Sequence, residues 1–215
     1  MITHHPTPDF LMAYSAGSLP EAFDLIVATH LSLCDTCRAE VGSYDALGGA
    51  LLDTTAAAEL TGSGIDRLLT GITSDRLPGD DSAAPPSADP DLPVPLAAYV
   101  GARLKDVRWR PVGMGVKQAI LPTAPGATAR LLFIPAGTAV PDHGHRGTEL
   151  TLVLRGAFED CGGRFARGDV ELATPETDHM PIADITEDCI CLAVTDAPLR
   201  FKGLLPRLVQ PFLKI

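Results

Sequence analysis

Pro78, Pro85, Pro86, Pro90, Pro93 and Pro95 fall in one short stretch that also holds Gly79, Ser82, Ser87 and four aspartates, with hardly any large apolar residue. Proline donates no backbone hydrogen bond and interrupts helices and strands alike, and a segment without apolar bulk cannot bury a core. The stretch reads as an extended, mobile linker over residues 78–92. It confines the remainder of the 215-residue chain to two parts, residues 1–77 and 93–215, each expected to bury a core of its own.

The first part has a helical pattern. Asp9 is placed to cap a short helix through Ala16, with Gly17 as its stop, and Pro20 opens a second helix whose Phe23, Ile26, Val27 and Leu31 recur at three- and four-residue spacing. A third follows Asp35, with Val41, Tyr44, Leu47, Leu51 and Leu52 on its apolar side. Residues 64–77, carrying Ile65, Leu68, Leu69 and Ile72, suit a fourth that has little core to join. Short helices of this total length make a marginal core, so a metal staple would be physically useful. After the linker the texture changes to β-branched or apolar runs at 107–111, 118–121, 129–134, 149–154, 169–173 and 189–194, punctuated by glycine and proline. Close, regular strands of this kind indicate an antiparallel sandwich or barrel.

The formal net charge of -10 is uneven. Residues 1–77 hold ten acidic and three basic side chains (-7), residues 78–92 four acidic (-4), and residues 93–215 thirteen acidic against fourteen basic (+1). Phosphate neutralisation needs clustered Lys and Arg, so direct nucleic-acid binding is disfavoured; an acidic domain suits a basic protein partner. Five cysteines, an odd number, argue for reduced thiols or metal ligands over a disulfide framework. The N-terminus, with His4, His5, Pro6 and Pro8, lacks the basic-then-apolar order of a signal peptide, and no apolar run nears the roughly 20 residues that span a bilayer. A cytoplasmic location and no membrane partner are expected.

His30, Cys34 and Cys37 stand at i, i+4 and i+7, which on a continuous helix projects all three from one face. Closed His/Cys sets of four are the structural form of tetrahedral zinc. The fourth ligand is expected from His5, which the hairpin of the first two helices can return beside His30, with His4 as the close alternative. A second set lies in the other part. His143 and His145, two apart, face one way on a strand; Glu149 opens the next apolar run; His179 follows later. Three imidazoles and a carboxylate suit a divalent metal, zinc first, with manganese, iron or nickel as alternatives that geometry would select. All six histidines of the chain fall in or beside these two sets.

An N-terminal His followed by His30, Cys34 and Cys37 in an HxxxCxxC arrangement, within an acidic helical domain, resembles the zinc-binding anti-sigma domains. That resemblance covers the first third of the chain. It implies a zinc-held bundle that wedges between the two DNA-binding domains of an extracytoplasmic-function sigma factor and keeps it from RNA polymerase. Gly137, His143, His145, Glu149 and Gly156 have the spacing of cupin motif one. Gly168 and His179 match motif two, where Thr174, Glu176 and Ala183 replace the usual proline, glycine and asparagine. This resemblance implies an all-β cupin barrel from about Pro93 to Leu199, followed by a tail, behind an all-α bundle stapled by zinc. A helical zinc domain followed by one cupin resembles the ChrR-type anti-sigma factors, a group associated with singlet oxygen and related photo-oxidative stress. It implies that the N-terminal domain inhibits and that the cupin senses or transmits.

The alternative from another class is a cupin metalloenzyme of dioxygenase or isomerase type with an accessory zinc-binding domain, since an open metal position activates water or dioxygen. No separate acid, base or nucleophile can be placed, which favours a regulator over an enzyme. Cys189 and Cys191, two apart on a strand, face one side, as core residues or as thiols near the cupin metal. Cys161, in a Gly-rich loop with Gly162 and Gly163, reads as exposed, and Trp109 and residues 204–215 as packing.

Overall fold

The computed structural model describes residues 1–58, 64–74, 89, 91–101 and 103–201. Most of the expected linker, the end of the fourth helix beyond Ser74, and the apolar run at 204–215 lie outside the described residues. The N-terminal region is helical: α1 (Pro8–Ser15), α2 (Glu21–Leu31), α3 (Asp35–Asp53) and α4 (Gly64–Ser74). Pro8 occupies the first turn of α1 and Gly17, at φ 62°, ends it, as a left-handed position requires. Asp9 lies inside that first turn, and Thr7 is the residue at the cap.

The next element corrects the sequence reading. α5 (Val94–Val100) is a helix at the point where the barrel was expected to begin, because proline in the first turn of a helix starts one as readily as it extends a linker. A 3-10 turn (Leu104–Asp106) follows, then, among the described residues, twelve strands: β1 (Arg110–Gly113), β2 (Val116–Ile120), β3 (Thr128–Ile134), β4 (His143–Gly144), β5 (Glu149–Arg155), β6 (Ala157–Asp160), β7 (Gly163–Ala166), β8 (Val170–Ala173), β9 (Asp178–His179), β10 (Ile182–Ala183), β11 (Cys189–Thr195) and β12 (Arg200–Phe201). They form a six-stranded sheet in the order β1-β2-β3-β11-β5-β8 and two three-stranded sheets, β10-β6-β7 and β12-β4-β9. The pairs are antiparallel. The C-terminal part is thus a β-sheet domain of cupin-like build; among the described residues its sheets do not join into one closed sheet.

The expectation of two separate cores does not hold. Leu11, Phe23, Ile26, Val27 and Leu31 of the helices share one apolar cluster with Leu131, Leu150, Leu152, Leu192 and Val194 of the six-stranded sheet. Leu92, at the end of the expected linker, and Leu96 of α5 are buried in it too. The physical reason lies in the strands. β5 and β11 are buried along their whole length apart from Arg155 at the end of β5, which is the pattern of strands covered on both faces. Leu150, Leu152, Ile190, Leu192 and Val194 face α2, while Val153, Cys189 and Cys191 turn inward to a second cluster with Phe158 and Phe165. Elsewhere the apolar helix stripes lack cover among the described residues: Leu47, Leu51 and Leu52 of α3, expected on a buried side, are 58%, 62% and 72% exposed.

A shared core should unfold as a unit. Leu192→Ala removes a side chain with no exposure from the cluster between β11 and the helices, and a loss of about 2–5 kcal/mol is expected. In thermal unfolding followed by circular dichroism, helix and sheet signals should move down together. A drop confined to the sheet signal would separate the two parts.

Candidate metal centres

The spacing of His30, Cys34 and Cys37 was expected to place them on one continuous helix, and the chain instead turns between them. α2 ends at Leu31, and Cys34, extended at φ -120° and ψ 105°, stands at the head of α3. Ser32 Oγ donates to the Thr29 carbonyl at 2.7 Å and the Cys34 N–H to the His30 carbonyl at 2.9 Å, which fixes the turn. His30 Nε2 lies 3.3 Å from Cys37 Sγ, and His5 Nδ1 lies 3.5 Å from Cys34 Sγ and 3.3 Å from Cys37 Sγ. One donor atom from each of the four lies within 4.8 Å of the others. A tetrahedral zinc with bonds of about 2.0–2.1 Å to nitrogen and about 2.3 Å to sulfur has nitrogen–sulfur edges of about 3.5 Å. The set fits a metal of that size.

The protonation pattern agrees. His30 Nδ1 is 2.9 Å from the Gly168 carbonyl, which can only accept, so the proton sits on Nδ1 and the Nε2 lone pair faces Cys37. Burial lowers His30 to about 4, keeping it neutral, and burial with the neighbouring Cys34 pushes the Cys37 thiol up to about 12. A buried thiol such as Cys37 gives up its proton readily only where a cation replaces it. His4, the alternative ligand, turns elsewhere: its ring packs on Phe165 at 4.4 Å, and its Nδ1 lies 3.7 Å from Asp169.

His5 is presented by the sheet domain as much as by the helices. Asp169 Oδ1 accepts the N–H groups of Thr3 at 2.6 Å and His4 at 2.9 Å, and the Val170 N–H donates to the His4 carbonyl at 3.1 Å. The Asp169 carboxyl is buried, which alone would raise it, yet the backbone donors of Ala166, His4 and Thr3 hold it below the ordinary range. Gly168 has φ 91°, a conformation that favours glycine, and a Cβ there would also press on the end of the Ile2 side chain.

The second set converges from three places. His143 on β4 is the register partner of His179 on β9, and His145 follows β4. Their Nε2 atoms meet: His179 to His143 at 3.1 Å and His179 to His145 at 3.2 Å. Metal–nitrogen bonds of about 2.0–2.1 Å give tetrahedral edges of about 3.3 Å, so these three also fit a metal. His143 Nδ1 donates to the Pro141 carbonyl at 2.8 Å, which leaves its Nε2 lone pair inward. Burial brings His143 and His145 down to about 4. Glu149 is buried and its carboxyl raised, by burial first; its Oε2 stands 3.8 Å from His145 Nδ1, and it lies outside the tight group of three imidazoles.

Sequence reasoning missed Asp160 and Glu171. Their carboxylates accept from His179 Nδ1 at 2.8 Å and 2.9 Å. Burial opposes the charge of His179, but Glu171 and Asp160 outweigh it and hold the ring up at about 9, while burial lifts Glu171 to about 8. They orient the ring and fix its tautomer. The available signal was Glu171 itself, an acid at an inward position of a strand. Cys189 and Cys191 are buried on this same inward side with Sγ atoms 3.4 Å apart, and Cys161 is exposed.

Residues 98–198 match the family described as the ChrR cupin-like domain. The chain is similar along its full length to anti-sigma-E factor ChrR of Cereibacter sphaeroides, with 56% identity over 214 residues, 100% of this chain and 99% of that one. It is also similar to a crystal structure of Rhodobacter sphaeroides SigE in complex with the anti-sigma ChrR, at a TM-score of 0.81 and 53% identity, covering 91% of this chain and 100% of that one.

Asp169→Asn leaves the Ala166 N–H without its acceptor and weakens the hold on Thr3 and His4, at an expected cost of about 1–3 kcal/mol near neutral pH. Because the Asp169 pKa is depressed in the fold, its contribution is present above the unfolded value and fades as pH falls through the folded one. Denaturant titrations of wild type and variant should converge below the ordinary aspartate pKa of about 3.9. An undiminished gap in acid would mean that the carboxylate charge is not the anchor.

Proposed function

This chain belongs to the ChrR family of anti-sigma factors, and we propose that it binds an extracytoplasmic-function sigma factor in the cytoplasm and silences it. The observation that carries this reading is the 56% identity over the whole chain to anti-sigma-E factor ChrR. The role is regulatory and requires no catalysis. No helix among the described residues is long and apolar enough to cross a membrane.

The surface gives the binding reading a place. Ile65, Leu68, Leu69 and Ile72 recur at helical spacing on α4 and are 58%, 66%, 56% and 52% exposed, and Leu47, Leu51 and Leu52 add to them on α3. Exposed apolar stripes of this extent mark a protein contact. They lie in the most acidic part of the chain, which suits a partner that itself binds DNA.

In this reading His5, His30, Cys34 and Cys37 hold zinc as a closed structural site, and residues 1–77 form the inhibitory unit. His143, His145 and His179, with Glu149 as the fourth ligand, hold a divalent metal in the cupin barrel, zinc first, with Asp160 and Glu171 keeping the His179 ring in place. A bound ion supplies folding energy at the first site and a fixed local charge at the second. Photo-oxidative stress then releases the sigma factor through the cupin. What supports transmission is the shared sheet: Glu149 and Cys191 project inward from the same strands whose Leu150 and Leu192 pack with the helices. A rearrangement around the imidazoles has only one layer of backbone to cross before it reaches α2.

The double variant Leu68→Asp, Ile72→Asp should keep wild-type stability within about 0.5 kcal/mol, since both sites are exposed. It should no longer co-purify with the sigma factor or repress transcription that depends on it; full repression by a folded double variant would refute the docking face. His143→Ala and Glu149→Ala should still repress in unstressed cells and fail to release under photo-oxidative stress. Normal release with cupin metal absent by mass spectrometry would remove the metal from the pathway.

A further inference from the structure

Arg130 sits inside β3, a strand otherwise built of hydrocarbon side chains after Thr128, and is 6% exposed. A guanidinium is always charged and carries five N–H donors, so burial normally brings it a carboxylate or several acceptors. Arg130 has neither a hydrogen bond nor an ion pair among the described residues, and its Nε is fully buried without an acceptor. Glu149 is the carboxylate that feels its charge, yet the two do not form an ion pair. Their strands explain why. Arg130 is the register partner of Ala193 on β11, and Glu149 is the partner of Thr195 on the same strand, one inward position further along. Arg130 instead borders open space.

That space is part of a cleft of about 870 Å³ lined by Arg130 together with Ile120, Leu121, Thr128, Thr195 and Pro198. Thr128, Arg130 and Thr195 share the inward face with Glu149 by strand alternation, so the cleft opens on the side of the sheet that also carries Glu149. We propose that the cleft is a binding site for a small carboxylic acid with an apolar body, whose carboxylate Arg130 takes in a two-pronged pair. The planar fork of a guanidinium matches a carboxylate, and the lining around it is largely hydrocarbon. Asp196 also lines the cleft, its Oδ1 occupied by the Thr148 N–H at 2.8 Å. With Glu149 beyond, the local field tolerates one negative charge and disfavours a phosphate dianion. Thr128 and Thr195 offer hydroxyl donors beside Arg130.

The site stands whether or not a sigma factor is the partner, and its test does not involve one. Full-length protein, purified with its metals, is titrated calorimetrically with octanoate, octanol and inorganic phosphate. Octanoate should bind more tightly than either, and Arg130→Gln should weaken it at least tenfold while leaving octanol unchanged. Should Arg130→Gln fail to fold by circular dichroism, Ala197→Trp fills the mouth of the cleft with Arg130 intact and should block octanoate equally. Binding of octanoate to folded Arg130→Gln with wild-type affinity, phosphate or octanol binding as tightly as octanoate, or no octanoate binding to wild type would each overturn the proposal.

Discussion

Strand alternation in one six-stranded sheet is the constraint on which the molecule depends. Side chains two apart share a face and neighbours oppose, so β5 and β11 carry two messages in one sequence. Leu150, Leu152, Leu192 and Val194 supply the floor for α2, and Glu149, Thr151, Cys189 and Cys191 the wall of the inner cavity. Neither set survives a shift of one residue in register, which would send the leucines to the imidazoles and the acids to the helices.

The two histidine clusters depend on this sheet in different ways. At the inner one the backbone places the rings, through the pairing of His143 with His179, and buried carboxylates then set the proton on the outward nitrogen. At the other, helices provide three ligands and the sheet domain provides the hold on the fourth. The Gly168 carbonyl fixes the His30 tautomer, and Asp169 with Val170 secures the strand-like segment that ends in His5. Coordination by His5 through Nδ1 and by His30 through Nε2 follows from these outer contacts.

Much of this was legible in the sequence, unevenly. The long strands were readable because continuous apolar runs bounded by glycine are distinctive: the reading of 149–154 and 189–194 meets β5 and β11 within one residue at their ends. Two-residue strands such as β4, β9 and β12 leave no period to read. His30, Cys34 and Cys37 do converge, but not for the reason their spacing offered, because the helix breaks after Leu31. Leu47, Leu51 and Leu52 kept helical spacing without a core behind it, since periodicity states which face is apolar and not what covers it. The proline-rich stretch hid the shared core. The same strands held the contrary signal, for a run such as Cys189–Thr195 with no exposed position needs partners on both sides. Arg130 illustrates the remaining gap: the apolar run 129–134 does not say which way its one charge points, and only register places it inside.

Thr3 and Asp169 are 166 residues apart along the chain. A ribosome adding about 5–20 residues per second needs on the order of ten to thirty seconds to cover that distance. Throughout that interval the helices exist without the sheet that covers α2, and the segment bearing His5 has no carboxylate or carbonyl to hold it. The order of synthesis therefore makes the nascent N-terminal region a sticky, loosely tied intermediate whose maturation waits for the last long strands. Closing so long a loop is entropically slow. The interval between translation and docking is thus a built-in delay, during which the apolar face of α2 lacks the sheet that covers it in the folded chain.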